Sequence, residues 1–325
     1  MKPNISAGII WISDPYELHK IMVDINYVNR NTREILQMSS KIAVVTDSNA
    51  SMTVAEGEEF GITVIPMPFY IGGKEYLDSI NLTQEEFYER LKGGEEIHTS
   101  QPSPEEVMKT WDKLLEDHDE IVHIPMSSGL SGSCGSAYLL AQHYDDKVQV
   151  VDNQRISVTL RQSCLDALEL IDKGMSARQI KDELERVKFE SSIYIMIDTL
   201  EYLKKGGRLT PAAAAIGTIL RIKPVLQIQG EKLDSFGKTR TVQGGKEIIM
   251  KAIKNDMETR FGCTDLCHNV HLEMAYTYDT LAAEQFMREA EEFFPGYEIT
   301  LKPLSLSIAC HIGPGALAMA VSKKI

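Results

Sequence analysis

"EIVHIPMSSGLSGSCGSAYLLAQHYDDKVQVVD", residues 120–152, decides the fold. Its ends, EIVHIPM (120–126) and KVQVVD (147–152), are continuous apolar runs of the kind that strands buried on both sheet faces require. Between them, SGSCGSAYLLAQHY (131–144) reads as a helix. Strand, helix and strand in succession make a βαβ unit, and a βαβ unit implies a parallel sheet.

Outward from this unit the same alternation continues. KIAVV (41–45) and ITVIP (62–66) are strand-like, and YIGGKEY (70–76), with a glycine pair between two half-strands, reads as a hairpin. TQEEFYERLK (83–92) opens on a capping box, Thr83 with Glu86. SPEEVMKTWDKLL (103–115) repeats the device with Ser103 and Glu106 and has Pro104 at its first helical position. Helices are expected around 157–173 and 176–187. From 191 the order becomes strand SIYIMID (192–198), short helix TLEYLKK (199–205), TPAAAAIGTIL (210–220), strand KPVLQI (223–228) and a long helix over 245–260. Strand VHLEMAYTY (270–278), helix LAAEQFMREAEEFF (281–294) and strand YEITLKP (297–303) follow.

The 325 residues are long for one core, which favours two domains. The expected fold class is α/β in two parts: an N-terminal Rossmann-like domain with a parallel sheet over 41–190, and a smaller C-terminal α/β (α+β) domain with fewer strands over 191–325. Residues 1–40 read as an N-terminal extension, mixed in pattern and unlike a signal peptide, with Met38 as an alternative start just before SSKIAVVTDSNAS.

The net charge of −13 and the lack of a Lys/Arg cluster disfavour a nucleic-acid partner. The longest apolar run, PAAAAIGTIL, is too short to span a bilayer. Five scattered cysteines suggest reduced thiols and a cytoplasmic setting.

Two hydroxyl-rich turns carry the candidate chemistry. SSGLSGS (127–133) can cradle an anion with backbone N–H groups, hydroxyls and the N-terminus of the helix that follows; it can equally be a plain strand-to-helix turn. It lacks the lysine and spacing of a phosphate-binding P-loop, and no G-x-S-x-G elbow surrounds Ser127, Ser128, Ser131 or Ser133. IHTSQP (97–102) places His98, Thr99 and Ser100 in a loop that a doubly wound sheet can bring to its ligand edge. KKGGRLTP (204–211) sets Arg208 behind two glycines, and CHIGPGA (310–316) sets His311 beside a rigid turn. The latter is no dinucleotide fingerprint, since Pro314 lies inside it. Cys263, Cys267, His268 and His271 have ligand chemistry but no standard zinc spacing, so no metal is expected.

VVTDSNAS (44–51), TSQPSPEE (99–106), SSGLSGS (127–133), LEYLKKGGRL (200–209), IGTILRIKPVL (216–226) and HIGPGALA (311–318) stand in the order seen in the DegV family of bacterial fatty-acid-binding proteins, which the chain resembles from Lys41 to Ile325. The resemblance implies one long-chain fatty acid between the two domains, its tail in a buried tunnel. Thr99 and Ser128 would bind the carboxylate and His311 and Arg208 complete the polar network. Ser100, Ser127 and Gly129 belong to the same turns, and His98 stands where some relatives carry another hydroxyl. It further implies a carrier with no cofactor beyond the bound acid, presenting it to a fatty-acid kinase for phospholipid synthesis. An enzyme using the hydroxyl turns, or a fatty-acid-sensing regulator, remain the alternatives.

Overall fold

Four largely buried strands lie side by side and parallel, as strands covered on both faces do. They are β1 (Ile42–Asp47), β2 (Ile62–Ile65), β6 (Glu120–Ile124) and β7 (Val148–Val150), in the order β2-β1-β6-β7. This computed structural model describes residues 40–78, 80–211, 213, 222–264 and 268–325. The expectations for the N-terminal extension, for most of the alanine-rich stretch after Pro211 and for Cys267 lie outside the described residues. Residues 41–325 make one compact unit.

The glycine pair at 72–73 turns β3 (Pro68–Ile71) into β4 (Lys74–Leu77), the expected hairpin, and β5 (Ile97–Thr99) adds an antiparallel edge. Thr99 therefore sits on an edge strand rather than in a loop. Helix α2 (Gln84–Lys92) carries the full Thr83–Glu86 capping box. At α3 (Pro104–Leu114) the Ser103 hydroxyl accepts from Glu106 N–H, 3.1 Å, which is the side-chain half of the device.

After residue 190 the structure adds two strands, β10 and β13, to the four expected there. Six strands form the second sheet, in the order β10-β9-β8-β13-β11-β12. They are β8 (Ser191–Met196), β9 (Lys223–Ile228), β10 (Asp234–Thr239), β11 (Val270–Tyr276), β12 (Ile299–Pro303) and β13 (Leu317–Lys323). Strand β10, DSFGKT, is a polar edge with no hydrophobic alternation to betray it. Strand β13 starts one residue after the Gly-Pro-Gly turn, yet it is the central strand that pairs β8 with β11.

Helix α5 (Ser157–Asp172) packs against strands of both sheets and is buried along most of its length. One hydrophobic core runs through it, with Val44, Val122, Leu160, Ile195, Leu226 and Ala318 together. Charges are buried here too. Glu273 on β11 faces Arg161 and Asp166 of α5 and Arg155 just before it. Burial pushes the Glu273 carboxyl up to about 8, against the pull of Arg161 and Arg155. Between pH 6.5 and 8 the folded protein thus holds a proton that the unfolded chain, with an ordinary carboxyl, has lost. Stability is expected to fall as pH rises through that window, by about 1.4 kcal/mol per pH unit at most. Thermal melts of the protein and of Glu273→Gln check this: the decline should vanish in the variant, and an equal decline in both would assign it elsewhere.

Asp166 and Asp47, each raised by burial to about 6, act in the same direction at lower pH. His123, held by burial near 3, acts oppositely below pH 6.5. Among the described cysteines, Cys134, Cys164 and Cys310 are free and buried.

Candidate functional site

Parallel strands present their carboxyl ends to ligands, and the segments after β1 and β6 do so here. Asn49 follows the first, and Met126, Leu130 and Ser131 follow the second; all four line a cavity of about 220 Å³. Thr99 and Ser100 reach it from the edge strand, Arg208 from the end of α7 (Glu201–Gly206), and Ser307 and His311 from α10 (Leu306–Ile312).

The polar end is built by contacts between distant parts of the chain. Thr99 Oγ1 lies 2.9 Å from His311 Nε2. Burial, reinforced by the Arg208 guanidinium, lowers His311 to about 4, so the imidazole is neutral at pH 7. With Nε2–H donating to Thr99, the threonine hydroxyl proton is free to donate into the cavity. A methyl group at Gly206 would lie 2.3 Å from His311 Nδ1, so the absence of a side chain there is what lets the ring sit. Helix α10 is fixed from below: Ser305 and Ser307 both donate to Asn49 Oδ1, and Asp78 Oδ1 accepts from Leu306 N–H. Arg208 donates through Nε to Leu130 O, 3.3 Å, and through Nη1 to Gly206 O, which leaves Nη2 as the nitrogen without a partner among the described residues.

The apolar end is narrower. Ile156, Leu233, Ile308 and Ile312 line both this cavity and a second one of about 50 Å³, so they form the neck between the two. Beyond the neck the walls are almost wholly hydrocarbon: Ile193, Ile195, Ile228, Ala275, Ala318 and Ala320 on one sheet face and Val158 on α5. A chamber with a polar end and a dry one thus share an aliphatic wall.

Of the residues singled out from sequence, Thr99, Ser100, Arg208 and His311 meet in this cavity. Four do not line it. His98 is exposed and stacks on the Tyr70 ring, 4.8 Å between centroids, because alternate residues of an edge strand face opposite ways. Ser128 is exposed, its N–H bonded to Asp152 at 3.3 Å. Ser127 is fully buried and donates to Glu231 O, 3.1 Å. Gly129 lies against the same residue, where a methyl group would come within 2.4 Å of Glu231 Cβ. The SSG turn seats the 229–233 segment rather than facing the cavity; its sister serine, Ser131, lines it instead. Ser131 was legible as part of the glycine-flanked turn before a helix, whereas Asn49, Gln101 and Ser307 carried no such signal. Among the described residues no group of His, Cys, Asp or Glu could hold a metal, and no helix is long and apolar enough to cross a membrane.

Residues 41–324 match the family model described as "Uncharacterised protein, DegV family". A DegV domain-containing protein of Deinococcus radiodurans is 36% identical over 200 residues, covering 61% of this chain and 71% of that protein. Among solved structures, a DegV family protein from Thermus thermophilus, described for its fatty acid binding, is 30% identical with a TM-score of 0.79, covering 87% of this chain and 99% of that one. DegV from Bacillus subtilis, a fatty acid binding protein, is 30% identical with a TM-score of 0.77, covering 88% and 100%.

Proposed function

The chain belongs to the DegV family, and we propose that it binds a long-chain fatty acid, with the carboxylate among Thr99, Ser131, Arg208 and His311 and the tail through the isoleucine neck into the dry chamber. The observation that carries this is the contrast between two adjacent cavities that share a wall. Hydroxyls, a neutral imidazole and a guanidinium lie at one end and hydrocarbon at the other, joined by four shared residues. A carboxylate leaving water needs charge-assisted hydrogen bonds. The tail supplies affinity at about 0.8 kcal/mol per buried methylene, before the costs of association are subtracted.

The protein on this reading is a carrier, and its partner is a separate fatty-acid kinase that phosphorylates the carboxylate for phospholipid synthesis. The Thr99–His311 pair has the spacing of a nucleophile and base. However, a general base must accept a charge, and burial with Arg208 alongside opposes that. The pair serves better as a donor to an anion than as a catalyst.

Thr99→Val keeps the volume and removes the donor. Titration with a fluorescent fatty acid should show binding weakened about tenfold to a hundredfold, while Ser128→Ala, on the exposed side of the turn, leaves it unchanged. Unaltered affinity in a folded Thr99→Val protein would remove this hydroxyl from the site.

A further inference from the structure

The wall of the dry chamber runs along two paired strands and then changes character. Ala318 of β13 opposes Ala275 of β11 and Ile195 of β8; one step on, Ala320 opposes Glu273 and Ile193. Directly opposed residues share a sheet face, so Glu273 lies on the same face as the three alanines that line the chamber. From the facing helix α5, Ser157 and Val158 line the chamber and Arg161 follows one turn later. The hydrocarbon surface therefore gives way, one row deeper, to Glu273, Arg161, Asp166 and Arg155, exposed by only 3%, 8%, 3% and 2%. Glu273 Oε2, Asp166 Oδ2, Arg161 Nε and Arg155 Nε are buried without a hydrogen-bond partner among the described residues.

We propose that this buried charged cluster is the end stop of the acyl tunnel and sets the longest fatty acid that the protein accepts. The proposal rests on the fatty-acid reading of the cavity. Each methylene held in the alanine-lined section gains about fourfold in affinity. A methyl terminus pressed into the cluster gains nothing from groups that need polar partners and holds them away from any. Affinity should thus rise with chain length and then turn down sharply, where an aliphatic dead end would let the chain fold back and give a plateau. The small side chains at 275, 318 and 320 set how much tail fits before the stop.

The test is competition of saturated acids, from about ten to about twenty-two carbons, against a fluorescent fatty acid on the full chain. Ala320→Leu adds three carbons in the row that Glu273 closes. It should move the downturn to shorter acids by about three carbons and weaken the longest accepted acid roughly 50-fold, with the short acids unaffected. Glu273→Ala should move the downturn to longer acids. Should either variant fail to fold, Ala275→Val makes a smaller addition to the same wall and carries the test. An unchanged downturn in folded Ala320→Leu or Ala275→Val protein overturns the end stop while leaving fatty-acid binding in place. Failure of every acid to bind the unaltered protein overturns the fatty-acid reading, and the stop with it.

Discussion

Arg208→Ala weakens fatty-acid binding roughly thirtyfold to a thousandfold, with the melting temperature changed by no more than a few degrees. Among the described residues Arg208 is the one cation lining the polar chamber, and two carbonyls, Leu130 O and Gly206 O, aim it there. Removing one member of a hydrogen-bonded charge pair leaves the other buried and unpaired, which costs about 2–5 kcal/mol; the half-buried position of Arg208 places the loss toward the lower part of that range. Stability is little affected because the side chain is only half buried. Arg208→Lys should recover only part of the loss, since a point charge cannot reproduce a planar fork held on two carbonyls. Titration of each variant at low and at moderate salt decides the matter. Affinity within threefold of the unaltered protein in Arg208→Ala would place the carboxylate elsewhere.

Gly129→Ala destabilises the fold by about 1–3 kcal/mol and weakens ligand binding with it. The added methyl would stand 2.4 Å from Glu231 Cβ and 2.5 Å from Glu231 O, and a backbone atom cannot swing aside as a side-chain tip can. Moving that segment breaks the Ser127 bond to Glu231 O and displaces Leu233, which lines both the polar chamber and the dry one. A melt lowered by several degrees together with reduced affinity is the expected result. A variant with unaltered melting and affinity would show that the 229–233 segment is not seated by this contact.

Much of the first half was legible because its signals are local. The βαβ runs, the glycine hairpin and the Thr83 capping box each declare themselves within about ten residues. The second sheet was less legible because its central strand, β13, comes last in the chain. Its pairing with β8 and β11 spans up to 131 positions, 322 minus 191, and no pattern in LAMAVSK announces it.

The site divides similarly. Thr99, Arg208 and His311 stand out as polar residues beside glycine or proline, where the backbone is shaped for a purpose. Ser127, Ser128 and Gly129 share that appearance, but their turn is shaped to receive Glu231, a contact fixed only by the fold. His98 faces away from the cavity for a different reason: side chains alternate along an edge strand, so the neighbour of a cavity residue points to the other side. The neck and the chamber behind it consist of ordinary Ile, Leu and Ala, whose meeting depends on how α5 packs on the six-stranded sheet and α10 on α7 and β5.

The central claim is that the cavity holds a fatty acid, and mass spectrometry of an organic extract from the purified protein tests it most directly. The account predicts long-chain fatty acid in the extract at close to one molecule per chain, and markedly less from Arg208→Ala protein prepared in the same way. An extract without fatty acid, from protein that also takes up none when long-chain acids are supplied, would contradict it.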